Sequence, residues 1–414
     1  MPAKLPKTST PPDSASLLKG FEALYPREID LSLDRVVALL AKLGNPHQSL
    51  SPVVHVAGTN GKGSVIAFLH AILEAAGYKV SRYTSPHLVR FHERIVINGA
   101  PIEEAFLVRC LEGVRHANGQ NPITFFEATT AGALTAFAQS VQDIILLETG
   151  LGGRLDATNV IADPVLTVLT PISLDHMEYL GDTVAQIATE KAGIIKPDVA
   201  CICGPQPPEA LAVIEETARR KNAPLIQVDT TGNLPPLALA GPHQMVNAHI
   251  ALAVARHLAG FKVDEKAMAT GLQSADWPAR FQRLSHLEKP GHEVYLDGGH
   301  NGAGAQAIAA ALAGLAPLPT YFITGLRTTK QAGAFFAPFV GKLSHMYTVA
   351  TPDDAHATPA DTLATQAIEA GLPATAMPDW KGALNHIHTS QKKSRSVICG
   401  SLYLAGHVLS ARKT

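Results

Sequence analysis

The chain has 414 residues, 46% of them hydrophobic and 17% charged, with a formal charge of −1. That length and composition suit a large buried core divided over two or three domains. Lysine and arginine are scattered, with only the short cluster "QKKSRS" at 391–396, which excludes nucleic acid as the main partner. No run of 18 apolar residues occurs and the start, "MPAKLPKTSTPPDSAS", lacks an apolar h-region, so no membrane partner is expected and the protein reads as soluble and cytoplasmic. The four cysteines, Cys110, Cys201, Cys203 and Cys399, are too few for a disulfide framework. Cys201 and Cys203 read as small residues on one face of a buried strand.

Taken in chain order, residues 1–16 form a polar arm that is expected to be disordered. Residues 28–44, "EIDLSLDRVVALLAKLG", carry Ile29, Leu33, Val36 and Leu40 at helical spacing and predict an amphipathic helix. "PVVHVAG" predicts a strand over Val53 to Val56, then a loop over 58–63 with three glycines, then a helix from Ser64 to a stop at Gly77. "DIILLE" predicts a strand ending at Glu148, "PVLTVLTPIS" one ending near Ser173, and "VACICG" a third. Between the last two, Thr183 and Gln186 form a capping box. Val184, Ile187, Lys191 and Ile194 follow at spacings of three and four, which sets Lys191 on the apolar face of a helix. "LEKPGHE" at 287–293 is charged and carries Pro290 and Gly291, so it reads as a boundary before "HEVYLD", "TYFITG", "HMYTVA" and "SVICG". The alternation of β-branched runs with helical periods predicts an α/β protein with parallel sheets. The expected division is a larger domain over 17–287, a linker at 288–291 and a smaller domain over 292–414.

The stretch "VVHVAGTNGKGSVIAFL" at 53–69 is an ordinary strand-to-helix bend, a phosphate cradle, or an altered cradle. A phosphate site needs this layout: glycines let backbone amides approach the oxygens, the helix end adds positive potential, Lys62 neutralises charge and Ser64 reaches Mg²⁺. The strict pattern is not met, because two residues rather than four separate Gly58 from Gly61, and Gly63 stands between Lys62 and Ser64. Glu148 ends its strand where ligands gather in an open parallel sheet, and Asp175 and His176 lie just past the next strand. Lys191 on an apolar face is costly unless it is paired or modified; alternatively its stem packs and its ammonium snorkels to the rim.

"AGTNGKGS", "TSPHLVRFHERIVING", "TFFEATTAGAL", "LETGLGGRLDATN", "SLDHMEYLGDT", "EKAGIIK", "HQMVNA", "LDGGHN" and "GSLYLAG", in this order over nearly the whole chain, resemble the folylpolyglutamate synthase family of Mur-type ligases. The resemblance implies a P-loop-type parallel-sheet N-terminal domain and a smaller Rossmann-like C-terminal one. It implies that Thr59, Asn60, Gly61, Lys62, Gly63 and Ser64 hold the phosphates of ATP, with Asn247, Arg280 and Asp297 on the nucleotide. Ser64, Ser85, Glu148 and His176 match magnesium ligands, and Lys191 matches a lysine that is carbamylated in the family. Thr124, Phe125, Leu155, Asp156 and Ala157 match contacts to the pterin, and Asp30 and His300 fall on the substrate side. Lys62, Lys191 and His176 are the expected catalytic residues. Thr149, Ala279 and Gly299 depart from the valine, glycine and alanine usual at those places.

The activity implied is ATP-dependent ligation of L-glutamate to a pterin carboxylate through an acyl phosphate. It converts dihydropteroate to dihydrofolate and extends reduced folates to polyglutamates. The expected partners are these small molecules, and the expected state is a monomer. Alternatives are a folylpolyglutamate synthase alone, a Mur-type ligase of peptidoglycan precursors, and a nucleotide-binding switch without turnover.

Overall fold

A computed structural model describes residues 13–25 and 30–411. The first sheet contains β1 (Val53–Ala57), β2 (Val80–Tyr83), β3 (Ile95–Ile97), β4 (Ala100–Pro101), β5 (Ile144–Glu148), β6 (Leu166–Leu169), β7 (Cys201–Cys203) and β8 (Leu225–Gln227). Its strand order is 4-3-2-5-1-6-7-8, with β3 and β4 antiparallel at one edge and the remainder parallel. All five residues of β1 and of β5 are buried, because helices cover both faces of the sheet. Val54 and Val56 pack towards α3 (Lys62–Ala75) and the helices His243–His257 and Glu265–Ser274. On the other face Val53, Ile145 and Leu147 pack with α4 (Glu104–Asn118) and α5 (Phe125–Ala138). β1 lies between β5 and β6, so their carboxyl ends open a crevice at the point where the chain reverses its direction of progress across the sheet.

The second sheet contains β9 (Gln282–Arg283), β10 (His292–Leu296), β11 (Thr320–Thr324), β12 (His345–Thr348), β13 (Ala374–Ala376) and β14 (Ser394–Cys399), in the order 13-12-11-14-10-9. Only β9 runs antiparallel. The expected boundary is therefore displaced. "LEKPGHE" is not a linker between domains but the turn of the β9–β10 hairpin, in which the His292 amide donates to the Lys289 carbonyl at 2.8 Å. Pro290 and Gly291, the latter at φ +84°, supply the two central conformations of a tight turn. The chain leaves the first domain after Ser274 and enters the second sheet at Gln282.

The expected N-terminal arm also needs correction where it is described. Ser14–Glu22 is a helix, α1, capped by Asp13, whose carboxylate accepts from the Ser16 amide at 2.9 Å. Leu17, Leu18 and Phe21 enter the core, and Ser14 donates from its amide and hydroxyl to Glu104 at 2.8 and 2.9 Å. Residues 1–12 lie outside the described residues, as does Ile29. The amphipathic helix is α2 (Asp34–Lys42), which buries Val36, Leu39 and Leu40 and leaves Leu33 at its N-cap. The loop helix α3 begins at Lys62, two residues earlier than expected, and ends before Gly77 at φ +89°. β7 buries both its cysteines, and the basic cluster at 391–396 runs into β14, where Arg395 pairs with Glu293 at 2.8 Å. Among the described residues no helix is long and apolar enough to cross a membrane.

The helix Glu265–Ser274 approaches α3 so closely that a Cβ at Gly271 would sit 2.4 Å from the backbone of Ile72. Gly271→Ala is expected to force the two helices apart and destabilise the domain by about 1–3 kcal/mol. The check is the urea midpoint at constant m-value; an unshifted midpoint would mean that the helices slide freely.

Candidate active site

The loop after β1 is built for close approach. Gly58 has φ +147°, and a Cβ there would fall 1.9 Å from the Thr170 hydroxyl, so only glycine fits. The amides of Thr59 and Asn60 donate to the Pro171 carbonyl at 3.1 and 3.3 Å, and the Thr59 hydroxyl donates to the Ser173 carbonyl at 3.1 Å. Gly61, at φ +92°, presses against the side chain of Asn247, and Gly63 against the ring of Trp277. Gly61 is the N-cap of α3, so the amides of Lys62, Gly63 and Ser64 open the helix with no carbonyl one turn behind to take them. These amides form an anion-binding end directly above β1.

Two ammonium groups meet at the same oxygen below that end. Lys62 Nζ donates to the Gly58 carbonyl at 3.1 Å and to the Thr59 carbonyl at 3.3 Å. Lys191 Nζ donates to the same Gly58 carbonyl at 2.9 Å. Lys191 is 5% exposed and sits on the buried face of α7 (Val184–Ala192), which carries the expected Thr183–Gln186 capping box. The snorkelling alternative is excluded, since the ammonium points inward. Burial, and then the charge of Lys62, pushes the Lys191 amine down to about 7. The glycine-rich run after β5 holds the far end of this helix: a Cβ at Gly153 would lie 2.8 Å from the Glu190 and Lys191 carbonyls, and the Arg154 amide donates to Glu190 O at 2.7 Å.

Glu148, 5% exposed at the end of β5, accepts from the Ser85 amide at 3.2 Å. Burial raises its carboxyl above the usual range, while Lys62 and Arg280 pull the other way. Ser64, the third residue of α3, is buried. His176 stands half-exposed in the left-handed region at φ 51°, the N-cap of α6 (Met177–Leu180). Burial pushes it down to about 4, against the pull of Asp175. No three or more His, Cys, Asp or Glu side chains form a metal cluster among the described residues. The residues expected to hold a cation would supply one carboxylate (Glu148), one imidazole (His176) and two hydroxyls (Ser64 and Ser85), with the Ser85 backbone in contact with Glu148. They suit a hard cation that also takes phosphate oxygens and water, and suit it better if Lys191 becomes an acid.

On the opposite side of β5, Thr124 caps α5 in a box with Glu127, whose carboxylate accepts from the Thr124 amide and hydroxyl at 2.8 Å. Arg35 donates to the same carboxylate at 3.0 Å and to Asp30 at 3.1 Å, while Tyr25 donates its hydroxyl to Asp30. Asp30 thus joins Thr124 and Phe125 through two charged side chains. Arg94 lies over both Phe91 and Phe125 at 5.5 Å and donates to His87 at 2.9 Å. Asp156 caps the short helix Ala157–Val160, which packs on α5, so Leu155, Asp156 and Ala157 come to the same side as Phe125.

The second domain closes over the crevice. Arg280 stands between Ala279 at φ 58° and Phe281 at φ 47°, and its charge acts on both Glu148 and Asp297. Ala279 takes a left-handed conformation that costs about 1–2 kcal/mol for an L-residue. Asp297 turns inward: its two carboxylate oxygens accept from the amides of Phe281 and Gly299 at 2.8 and 2.6 Å, shaping the loop beside Arg280. His300 faces Asp175 at 3.7 Å, Asn301 donates to Asp175 at 2.9 Å and to Asn60 at 3.3 Å, and Lys330 pairs with Asp175 at 2.6 Å. Burial works against the ionised form of Asp175, yet His300, His176 and Lys330 together hold its carboxyl well below the usual range. One acid of the first domain therefore gathers three side chains of the second.

Most of the expected residues fall into two groups, one at the helix end and one around α5, with His300 joining the first through Asp175. The residues not anticipated as site members are Asn301, Lys330, Glu127 and Arg94, whereas Asp175 is anticipated at the strand end beside His176 without a role of its own. Asp175 and Asn301 adjoin expected residues in the same motifs, whereas nothing in the sequence around Lys330 marks it.

A nucleotide-type helix end, a buried acid beside it and a second α/β domain closing on both define a two-domain ligase of the Mur type. Residues 56–203 match the Mur ligase middle domain, and residues 280–411 match the dihydrofolate synthetase C-terminal domain. The chain is 38% identical over 310 residues to the dihydrofolate synthase/folylpolyglutamate synthase of Bacillus subtilis, covering 67% of this chain and 71% of that one. It superposes on Escherichia coli FolC in complex with DHPP and ADP with a TM-score of 0.88 at 31% identity, covering 97% and 99% of the two chains. A bifunctional folylpolyglutamate synthase/dihydrofolate synthase with Mn, AMPPNP and L-glutamate bound matches with a TM-score of 0.85 at 29% identity, over 98% and 100%. The chain belongs to the dihydrofolate synthase/folylpolyglutamate synthase family of ATP-dependent ligases.

The unfolded chain keeps the Lys191 proton to about pH 10 and the folded chain releases it near 7, so folding stability rises with pH across that window. Lys191→Met removes this contribution. Urea titrations at pH 7 and 9.5, in buffers free of bicarbonate, are expected to show wild type gaining a few kcal/mol more than the variant between the two pH values. Equal gains would place the amine in contact with solvent.

Proposed function

We propose that this chain joins L-glutamate to the carboxylate of a pterin-bearing acceptor in two steps at the crevice above β1, β5 and β6. The observation that carries the reading is the pair of ammonium groups on the Gly58 carbonyl beneath the open amides of α3. Two cations and a helix end left together in a buried place call for an anionic ligand, and a nucleotide triphosphate supplies one. The relatives bound to ADP and AMPPNP support this.

The acceptor carboxylate is a poor electrophile. Its oxygen attacks the γ-phosphorus of ATP, the bond to the bridging oxygen breaks, and ADP leaves from an acyl phosphate. Lys62 and the amides of residues 61–64 neutralise the charge that builds on the phosphoryl oxygens. The amine of glutamate then attacks the acyl carbon, the carbon–oxygen bond breaks, and phosphate departs as the amide forms. Asp175, with Lys330, Asn301 and His300, holds the second domain closed and keeps water from the acyl phosphate.

A divalent cation would be held by Glu148, Ser85, Ser64 and His176, and when bound it polarises the phosphoryl oxygens. The presence of Mn in a relative supports such a site. Lys191 completes it as a carbamate: the neutral amine adds to carbon dioxide, a nitrogen–carbon bond forms and a proton leaves. The cation that Lys62 repels becomes a carboxylate that Lys62 attracts. Arg280 and Asn247 bound the nucleotide, with Asp297 holding the Arg280 loop.

The acceptor lies against Thr124, Phe125 and the Leu155–Ala157 stretch. Dihydropteroate ends in a benzoate carboxylate and a reduced folate is longer by one glutamate, so the two reach the same phosphorus only from different depths. The chain of contacts from Asp30 through Arg35 and Glu127 to Thr124 favours use of both acceptors, because it ties an additional segment to the pterin side.

Turnover of ATP is measured with dihydropteroate or glutamate omitted in turn. ADP release that requires both supports the ligase, whereas turnover indifferent to either overturns it. Lys62→Ala is expected to lower kcat at least about a thousandfold while the melting temperature stays within a few degrees, since Lys62 is only the first residue of α3 and Gly58 O retains Lys191. Near-normal turnover would move phosphate binding elsewhere. Asp30→Ala is expected to reduce dihydrofolate synthesis about tenfold more than glutamate addition to tetrahydrofolate, with the KM for ATP unchanged. Equal losses would make the segment a packing element only.

A further inference from the structure

His55 is fully buried in the middle of β1, on the face that carries Val53, and the steps described above make no use of it. Its Nε2 lies 2.8 Å from the Thr158 hydroxyl oxygen, which lies 2.5 Å from Asp156 Oδ1. The same Oδ1 accepts from the Thr158 amide at 3.0 Å, and Oδ2 accepts from the Leu151 amide at 2.8 Å. The direction of the chain follows from its acid end. An ionised carboxylate only accepts, so the Thr158 hydroxyl gives its proton to Asp156 and must itself accept from His55. The imidazole therefore carries its hydrogen on Nε2.

The other ring nitrogen, Nδ1, is buried with no hydrogen-bond partner among the described residues. A leucine would fill this place without burying an unsatisfied nitrogen, which is costly. What the imidazole adds is the Nε2–H. Burial, and then the charge of Lys196, pushes the ring down to about 3, so it stays a neutral donor.

We infer that His55 and Thr158 are positioning residues for the pterin-bearing acceptor: their relay fixes the Asp156 carboxylate and with it the Leu155–Ala157 stretch on the acceptor side of the crevice. This rests on the proposed placing of the acceptor against that stretch. It joins the strand that delivers the phosphate loop, three residues before Gly58, to the loop that shapes the acceptor pocket. The two substrates are then set by one rigid strand, as a reaction between an acceptor carboxylate and a γ-phosphorus requires.

The test is steady-state ligation by the full chain with His55→Leu, Thr158→Val, the double variant, and His55→Gln, whose amide nitrogen can take the place of Nε2. The two apolar variants are expected to raise the KM for dihydropteroate about tenfold, with kcat and the KM for ATP within about twofold of wild type. The double variant should be no worse than either single, because both cut the same chain, and His55→Gln should recover most of the loss. An unchanged KM for dihydropteroate, additive losses, or an equal rise in the KM for ATP overturns the inference.

A spectroscopic readout stands apart from turnover. In protein with ¹⁵N-labelled histidine, the ring signals lost in His55→Gln should show protonated Nε2 and bare Nδ1, with Nε2 shifting in Thr158→Val. The opposite tautomer overturns the relay whatever the activity. A wild-type protein that shows this tautomer yet ligates no glutamate to any pterin keeps the relay as a loop brace, and it refutes both the proposed function and the positioning role built on it.

Discussion

The Gly58 carbonyl oxygen is the point on which the site depends. It accepts from two lysines carried on different helices, Lys62 at the head of α3 and Lys191 on the buried face of α7. The arrangement exists only because Gly58 takes φ +147° against Thr170, a place no other residue can occupy. The backbone dipole holds two like charges together without neutralising them, and one of the two amines has no water to solvate it. An anion entering above the loop relieves the repulsion from outside, and conversion of Lys191 to a carbamate relieves it from within. The same unfavourable pairing thus accounts for both the affinity for phosphate and the chemistry of the lysine.

The crevice owes its two-sidedness to strand order. With β1 between β5 and β6, the phosphate loop, Glu148 and the segment of Asp175 and His176 emerge from three neighbouring strand ends. The opposite face of the same strands packs α5, whose N-terminus bears Thr124 and Phe125. Charge on one side and aromatic surface on the other give a path along which a molecule with a flat ring and a terminal carboxylate can lie. The second domain adds the Arg280 charge to the first of these surfaces. It also meets the first domain at Asp175, which pairs with Lys330 at a site about one-tenth exposed and accepts from Asn301 beside His300, so that loss of the Asp175 carboxylate would leave the buried Lys330 charge without its partner.

The interior of that wall is polar in a controlled way. Asp156 and Asp297 are both buried acids whose oxygens are occupied by backbone amides, those of its own loop for Asp156 and those of Gly299 and the distant Phe281 for Asp297, so they shape loops first. Glu127 does the same for the start of α5 while balancing Arg35. An acid in a glycine-rich motif is easily read as a ligand, although its first task is to satisfy amides that the tight turns leave unpaired.

Local patterning alone determined eight of the fourteen described strands (β1, β5, β6, β7, β10, β11, β12 and β14), although β6 ends at Leu169 rather than near Ser173, and also the capping box of α7, the helix after the glycine loop and the inward face of Lys191, because each follows from side-chain period and from capping chemistry within a few residues. It misplaced the domain boundary, since a Pro-Gly pair marks a turn equally well in a linker and in a hairpin, and only the pairing of β9 with β10 separates the two. The sharing of Gly58 O by residues 62 and 191, the hold of Lys330 on Asp175, and the line from His55 to Asp156 were decided by the tertiary structure. These contacts join positions from about 100 to over 150 residues apart, and a hydrogen bond across such a separation leaves no period, cap or turn signal in the intervening chain.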